Sequence, residues 1–425
     1  MNELLTLWSA WLRPSAGLPT VQWSLLLATA TIVGYAIQRY SGLPKVLGYS
    51  LVGTVAGLAG FNGALWPLQG IGLFLLELGV AIVLFEAGGR IPLRWFRHNP
   101  MVLVQSIAES TLTYFAVYWL LQYLDVPLYV AGPLAIVAMV ASPAVLTRVV
   151  MDTQASGPVT DRALVLATLG SLYALTLGAA QAGLLNRVQL TPLDTFYPVA
   201  VVLGVSVLVG ALLACALAVA LRFMSPSSEN TSILLLALIA AAAAVAAHLG
   251  GSAPLAALLG GMLLKQLNPR PWGLPRQMGT AASLLTMMMF VLVSTVAAQA
   301  DWSAPVTGLV LALIAARAVA KITGVALGNV GSGASWRQAL WVGCAMSPMS
   351  SISLLIASQF MTASASTGEQ IAAIALPAIL LMEMLGAVLT TVAIYRAGES
   401  SKPWPLTRSG GPSTPAAAPG ERRVP

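Results

Sequence analysis

The sequence predicts an all-helical integral membrane protein of about thirteen transmembrane helices, built as inverted repeats with two broken helices crossing at mid-membrane. Three observations predict it: a composition that water cannot cover, a regular succession of apolar runs of bilayer length, and a Ser-Pro break at matching places in the two halves. Of the 425 residues, 58% are hydrophobic and 8% charged, against roughly 25% charged in soluble domains. Twenty-one Lys and Arg with fourteen Asp and Glu cannot make a polar shell for so long a chain. Lipid must cover most of the surface. The net charge of +7 comes from basic residues scattered through the loops rather than gathered on a face with aromatics, which excludes nucleic acid as a partner. Cys215 and Cys344 lie in apolar segments, with no disulfide framework or metal-ligand spacing, and are expected to pack. A secretory signal would open with basic residues and a short apolar run. This chain opens MNEL and its first long apolar segment is of bilayer length, so that segment reads as retained.

Apolar runs of roughly 20 residues, broken by charge, Pro or Gly, mark the spans in order. The first lies near 22–39 and is separated by Arg39 and Lys45 from the second, near 44–61. The third, near 68–88, ends at Arg90, Arg94 and Arg97 before the fourth, near 100–122. The fifth, near 127–150, is divided by Arg148 and Arg162 from the sixth, near 161–184. The seventh, near 196–222, closes on Arg222; the eighth and ninth follow near 230–249 and 251–266. Lys265, Arg270 and Arg276 lead to the tenth, near 279–299, and the eleventh, near 304–327. Arg337 introduces the twelfth, near 338–361, and the thirteenth runs near 369–396. Basic residues therefore gather on the odd connections, while the even ones carry only Arg187. Because Lys and Arg accumulate on the cytoplasmic side, the amino terminus (1–21) is expected outside and the carboxyl terminus inside, in the plasma membrane. Trp23, Trp66, Trp95, Trp272, Trp302 and Trp336 sit near span ends, as an aromatic belt requires. From 397 to 425 the chain turns to Pro, Ser, Gly and Ala, a composition expected to be a disordered cytoplasmic tail.

Ser142 and Pro143 lie inside the fifth span, Ser347 and Pro348 inside the twelfth, with Ser350 and Ser351 following. A proline within a span removes a backbone hydrogen bond and frees carbonyls, which membrane proteins tolerate where the gap lines a cavity. Two such breaks seven spans apart predict inverted repeats over about 22–184 and 230–396, with 196–222 as linker. In such folds the substrate site lies where the broken helices meet, and hydroxyls and half-helix ends can hold an ion. An ionised side chain at the bilayer centre costs roughly 2.5 to 3.5 kcal/mol, so each one present asks for a partner or a role. Glu77, Glu109, Arg317, Lys321 and Glu383 lie near the interior, Glu86 nearer the edge. Arg317 and Lys321, four residues apart, share one helix face that must point into the protein. His248 ends a span and His98 lies in a basic loop; both read as interfacial. No paired catalytic carboxylates, nucleophile-and-base set, metal cluster or phosphate loop appears, and the loops are short. The sequence thus predicts neither an enzyme nor a cofactor, and no metal beyond a transported cation.

Taken together, GLPKVLGYSLVGTVAGL from Gly42, LELGVAIVLFEAGG from Leu76, ASPAVLTRVV from Ala141, LGGSAPLAALLGGMLL from Leu249 and the ARAVAKITG to ALWVGCAMSPMSS stretch resemble the monovalent cation:proton antiporters of the second branch, in the sodium/proton exchanger superfamily. The resemblance covers nearly the whole membrane part. It implies a core-and-dimerisation architecture, usually a homodimer, that exchanges Na+ or K+ for H+ across a bacterial membrane. Two positions depart from the family pattern. Where the family carries a sixth-span aspartate, LVLATLGSLYALTLG from Leu164 has Tyr173 or its neighbour Leu172, and no acid lies from Arg162 to Leu184. Arg90 replaces a glutamate after the third span. The expected coupling site therefore comprises Ser142, Pro143, Ser171, Tyr173, Ser347, Pro348, Ser350 and Ser351, with Glu109 as substitute acid and Lys321 or Arg317 as competing charge. Two other readings stay open: the same fold carrying an anion or neutral solute, or a membrane scaffold or sensor that does not transport.

Overall fold

The computed structural model describes residues 18–402 apart from 62–63, 65, 92–95, 98, 186–191, 226–227, 269–275 and 330–334. Arg94, Trp95, His98, Arg187, Arg270, Trp272, Arg408 and most of the two terminal segments lie outside the described residues. The described helices are α1 (Leu18–Ser41), α2 (Lys45–Leu58), α3 (Gly70–Gly89), α4 (Pro100–Tyr123), α5 (Leu128–Met139), α6 (Pro143–Thr153), α7 (Pro158–Leu184) and α8 (Pro192–Phe223). They continue with α9 (Glu229–His248), α10 (Ala253–Leu267), α11 (Arg276–Ala297), α12 (Ala304–Leu327), α13 (Trp336–Ala345), α14 (Ser351–Ala363) and α15 (Ala365–Ala397). Among the described residues, eight helical segments are long and apolar enough to cross a membrane, with α5 and α6 taken as one; α2, α10, α14 and the apolar part of α11 are shorter. Phe74, Phe115, Trp119, Leu208 and Leu212 stand exposed, as side chains bathed in lipid do. Cys215 is also exposed on α8, against the expectation that it packs, while Cys344 is half-buried. The apolar run around Cys215 is continuous, so its hydrophobicity does not tell a lipid-facing side from a core-facing one.

The helices pack as two groups. One, the panel, holds α1, α2, α3, α8, α9, α10 and α11; the other, the bundle, holds α4, α5, α6, α7 and α12 to α15. Small residues set the close approaches within each group, since helices in lipid gain most from intimate backbone contact. Gly88 of α3 faces the α10 backbone at Leu258 and Met262, and Gly261 faces α3 at Phe85 and Gly89. In the bundle, Gly324 of α12 and Gly328, which caps its end, lie against Glu109 and Gln105 of α4. The span Leu128–Thr153 is the most enclosed, 89% buried against 11% for Val21–Ser41, so the first broken helix forms the bundle's centre.

The described chain returns to the bundle at its far end. Glu399 accepts hydrogen bonds from Val159 N and Thr160 N, both at 2.7 Å, and from Thr160 Oγ1 at 2.7 Å. It thereby satisfies first-turn amides of α7 and places a negative charge at the positive end of that helix. Ser156 N donates to the Glu399 carbonyl at 3.1 Å, and Ser400, Ser401 and Lys402 donate to Thr153, Gln154 and Asp152 carbonyls. Residues 399–402 thus strap the α6–α7 turn.

Candidate functional site

Both breaks fall where the sequence places them. α5 ends at Met139, Val140 and Ala141 are non-helical, and Ser142 caps α6 by accepting from Val145 N at 3.4 Å, with Pro143 as the first helical residue. α13 ends at Ala345, residues 346–350 are non-helical, and α14 starts at Ser351. The two breaks touch directly: Ser142 N donates to the Pro348 carbonyl at 2.9 Å.

The carbonyls freed at these ends carry the negative pole of each half-helix, and no lipid can satisfy them. Side chains do. Along the first break, successive carbonyls accept from Ser353 Oγ (Val137, 3.3 Å), Arg317 Nε (Ala138, 2.7 Å), Lys321 Nζ (Met139, 3.0 Å), Arg317 Nη2 (Val140, 2.6 Å) and Ser171 Oγ (Ala141, 3.3 Å). Along the second, Ala345 accepts from Thr390 Oγ1 at 2.9 Å and Ser347 from Arg317 Nη1 at 2.5 Å; Arg317 Nη2 also reaches the Met346 and Pro348 carbonyls at 3.4 and 3.5 Å. Arg317 is fully buried with its guanidinium fork turned to both breaks. Its donors go to the carbonyls of the crossing.

Lys321, one turn further along α12, meets Glu109 of α4 in a fully buried ion pair. Glu109 also accepts from Ser110 Oγ and Thr113 Oγ1, each at 3.2 Å. Gly170 of α7 lies beside this carboxylate, its missing Cβ placed 4.0 Å from Glu109 Oε2. Ser171 is buried against the first break, whereas Tyr173 accepts from Ser106 Oγ at 3.4 Å and lines a cavity. That cavity, about 760 Å³ between α4, α5, α7 and α8, is bordered by Ser110, Tyr114, Met139, Tyr173, Thr176 and Gln181. A second, about 380 Å³, is lined by Arg90, Asp161 and Thr168 at the amino-terminal half of α7. The two approach α7 from opposite ends and leave Leu169 to Ser171 between them.

The remaining expected residues divide. Ser347 contributes its carbonyl to Arg317, and Ser351 Oγ is buried with no protein hydrogen-bond partner. Ser350 turns away to a different acid, Glu383 of α15, which also accepts from Ser50 and Ser294. Glu383 was visible in the sequence as an intramembrane acid but not as a member of this site. Its hydroxyl partners on α2 and α11 are distant in sequence and carry no charge.

The profile described as sodium/hydrogen exchanger, transmembrane, matches residues 26–395. The chain belongs to the sodium/hydrogen exchanger family. The expected resemblance is thereby borne out, and the protein is an integral membrane cation:proton exchange transporter. Among solved structures, the exchanger is similar to the sodium proton antiporter MjNhaP1 from Methanocaldococcus jannaschii determined at pH 8, with a TM-score of 0.67 and 14% identity over 89% of this chain and 98% of that one. An electron-microscopy structure of the same antiporter matches with a TM-score of 0.65 and 16% identity, over 93% and 98% of the two chains. At such identities the likeness concerns the fold. None of the curated proteins matches the exchanger in sequence.

Proposed function

We propose that the exchanger moves Na+ or K+ against H+ through the helix crossing, with the Glu109–Lys321 pair as its coupling acid and competing charge. The observation that carries this reading is the buried pair itself, set against the first break and beside the stretch of α7 where the family places an aspartate. A proton or cation taken by Glu109 releases Lys321, so the two ligands compete for one carboxylate. The cavities at the two ends of α7 supply an approach from each side. Sliding of the bundle along the panel would close one and open the other. The repeats over about 22–184 and 230–396, the linker near 196–222, a count of thirteen spans, a homodimer, a bacterial plasma membrane and an amino terminus outside all belong to this proposal. Cargo of the opposite sign fits less well, because the Arg317 donors are taken by carbonyls and Lys321 by Glu109.

The test is pH-dye fluorescence in proteoliposomes, with Na+ and then K+ added outside. Wild type should show cation-dependent proton movement, and Glu109→Gln should lose it. That variant leaves Lys321 buried without its partner, which costs roughly 3–5 kcal/mol. The Glu109→Gln/Lys321→Gln double variant is therefore compared as well; it should regain thermal stability and remain inactive. Unchanged exchange in either variant would overturn the assignment.

A further inference from the structure

Glu383 is a fully buried acid that the Glu109–Lys321 pair leaves without a part. It lies midway along α15, at 0% exposure. Its Oε1 accepts from Ser50 Oγ at 2.6 Å and Ser294 Oγ at 3.0 Å, and its Oε2 from Ser350 Oγ at 3.0 Å. Ser350 precedes α14 at the second break, in the bundle with Glu383. Ser50 and Ser294 belong to α2 and α11 of the panel. One carboxyl group therefore joins the second break to both panel helices facing it.

The charge around this group is otherwise engaged. α14 carries no charged residue, and the one on α11 is Arg276 at its start, eighteen positions from Ser294. On α2, Tyr49 accepts from Arg148 of α6 at 3.5 Å, and Arg148 lies 3.7 Å from Asp152. On α12, Arg317 is bonded to carbonyls and Lys321 to Glu109; on α7, Tyr173 is bonded to Ser106. Cys344 of α13 is half-buried. Burial without a cation favours the neutral acid, whereas three hydroxyl donors favour the carboxylate. Two charge states are thus each supported by something in the surroundings. They differ in what they bond: a carboxylate accepts from all three serines, but a protonated carboxyl must donate, so a serine has to turn and accept. The five oxygens, two of the carboxyl and three of the serines, lie at hydrogen-bonding distances, the spacing that suits a proton.

We infer that Glu383 binds and releases a proton during the exchange cycle, and that its carboxylate form latches the bundle to the panel through Ser50 and Ser294. The step moves one proton from hydronium to a carboxylate oxygen: one O–H bond breaks, another forms, and water is left. With the latch loosened, the bundle is free to slide. The inference rests on the exchange reading for its place in a cycle, but the titration of Glu383 can be seen without transport.

The experiment uses the purified full chain in two measurements. In pH-difference infrared spectra, wild type should show a protonated-carboxyl C=O stretch that titrates, and Glu383→Gln, nearly isosteric, should lack it. In proteoliposomes, Glu383→Gln should slow exchange at least about tenfold, Glu383→Asp should keep exchange with a displaced pH profile, and Ser50→Ala/Ser294→Ala should also displace that profile. A titrating band that survives Glu383→Gln, or a pH profile unmoved in all three variants, overturns the inference. If wild type moves no protons with either cation, the exchange reading and the cyclic role of the latch both fall, while loss of the band in Glu383→Gln still upholds protonation at Glu383.

Discussion

Arg317 donates to the ends of two half-helices at once, so its loss acts on both breaks together. Lysine at this position keeps the charge but has three donors on a single nitrogen, which cannot reproduce a planar fork reaching carbonyls on two segments. Arg317→Lys should therefore leave buried carbonyls unpaired and cost about 3 kcal/mol. The check is thermal unfolding in detergent, where a melting temperature equal to wild type would mean that other donors replace the guanidinium. At this scale the sequence revealed which residues matter better than what they do. Charges inside a bilayer are rare, so Glu109, Arg317, Lys321 and Glu383 stood out by position alone. Their partners did not: Arg317 binds backbone carbonyls, which every residue has, and Glu383 binds serines, which no charge pattern marks. The pairing of Lys321 rather than Arg317 with Glu109 depends on the axial register of α12 against α4, since the two share a face and stand one turn apart.

Among the elements, α12 and α4 show how closely two helices must approach for the ion pair to form. A Cβ on Gly324 would stand 2.5 Å from the Cα of Glu109, against backbone that cannot turn aside. Gly324→Ala should push the helices apart, draw Lys321 from Glu109 and destabilise the protein by about 1–3 kcal/mol. Gly308, on the same helix, has open space around its absent Cβ and supplies the control. Exchange in proteoliposomes should fall for Gly324→Ala and hold for Gly308→Ala; equal activities would contradict the packing argument. The helices themselves were legible almost to their ends, because a bilayer imposes a length on every apolar run. The expected 304–327 is Ala304–Leu327, and the expected 100–122 is Pro100–Tyr123. Proline alone did not define the breaks, since Pro133, Pro198 and Pro377 lie inside continuous helices. What distinguishes Pro143 is the serine before it, whose side chain caps the new helix. The extent of the second break, 346–350, was not legible, because it depends on carbonyls satisfied from α12 and α15.

Over the whole molecule, the division into panel and bundle could not be read from hydropathy, which treats all spans alike, but the two Ser-Pro breaks pointed to its centre. The strap of residues 399–402 was not legible at all, since the tail's composition announces only its polarity. Removing the Glu399 carboxylate withdraws the acceptor shared by two first-turn amides of α7, a loss of about 1 kcal/mol for an amino-terminal cap. Glu399→Ala should lower the melting temperature, and truncation after Gly398 should lower it below that of truncation after Lys402. Identical melting curves for the two truncations would show that the strap adds nothing to stability. Because the strap fastens the chain to α6 and α7 rather than to any panel helix, whatever is attached immediately beyond Lys402 travels with the bundle. A fluorophore there, paired with one on the exposed Cys215 of α8, would form a built-in ruler for the proposed sliding of bundle along panel.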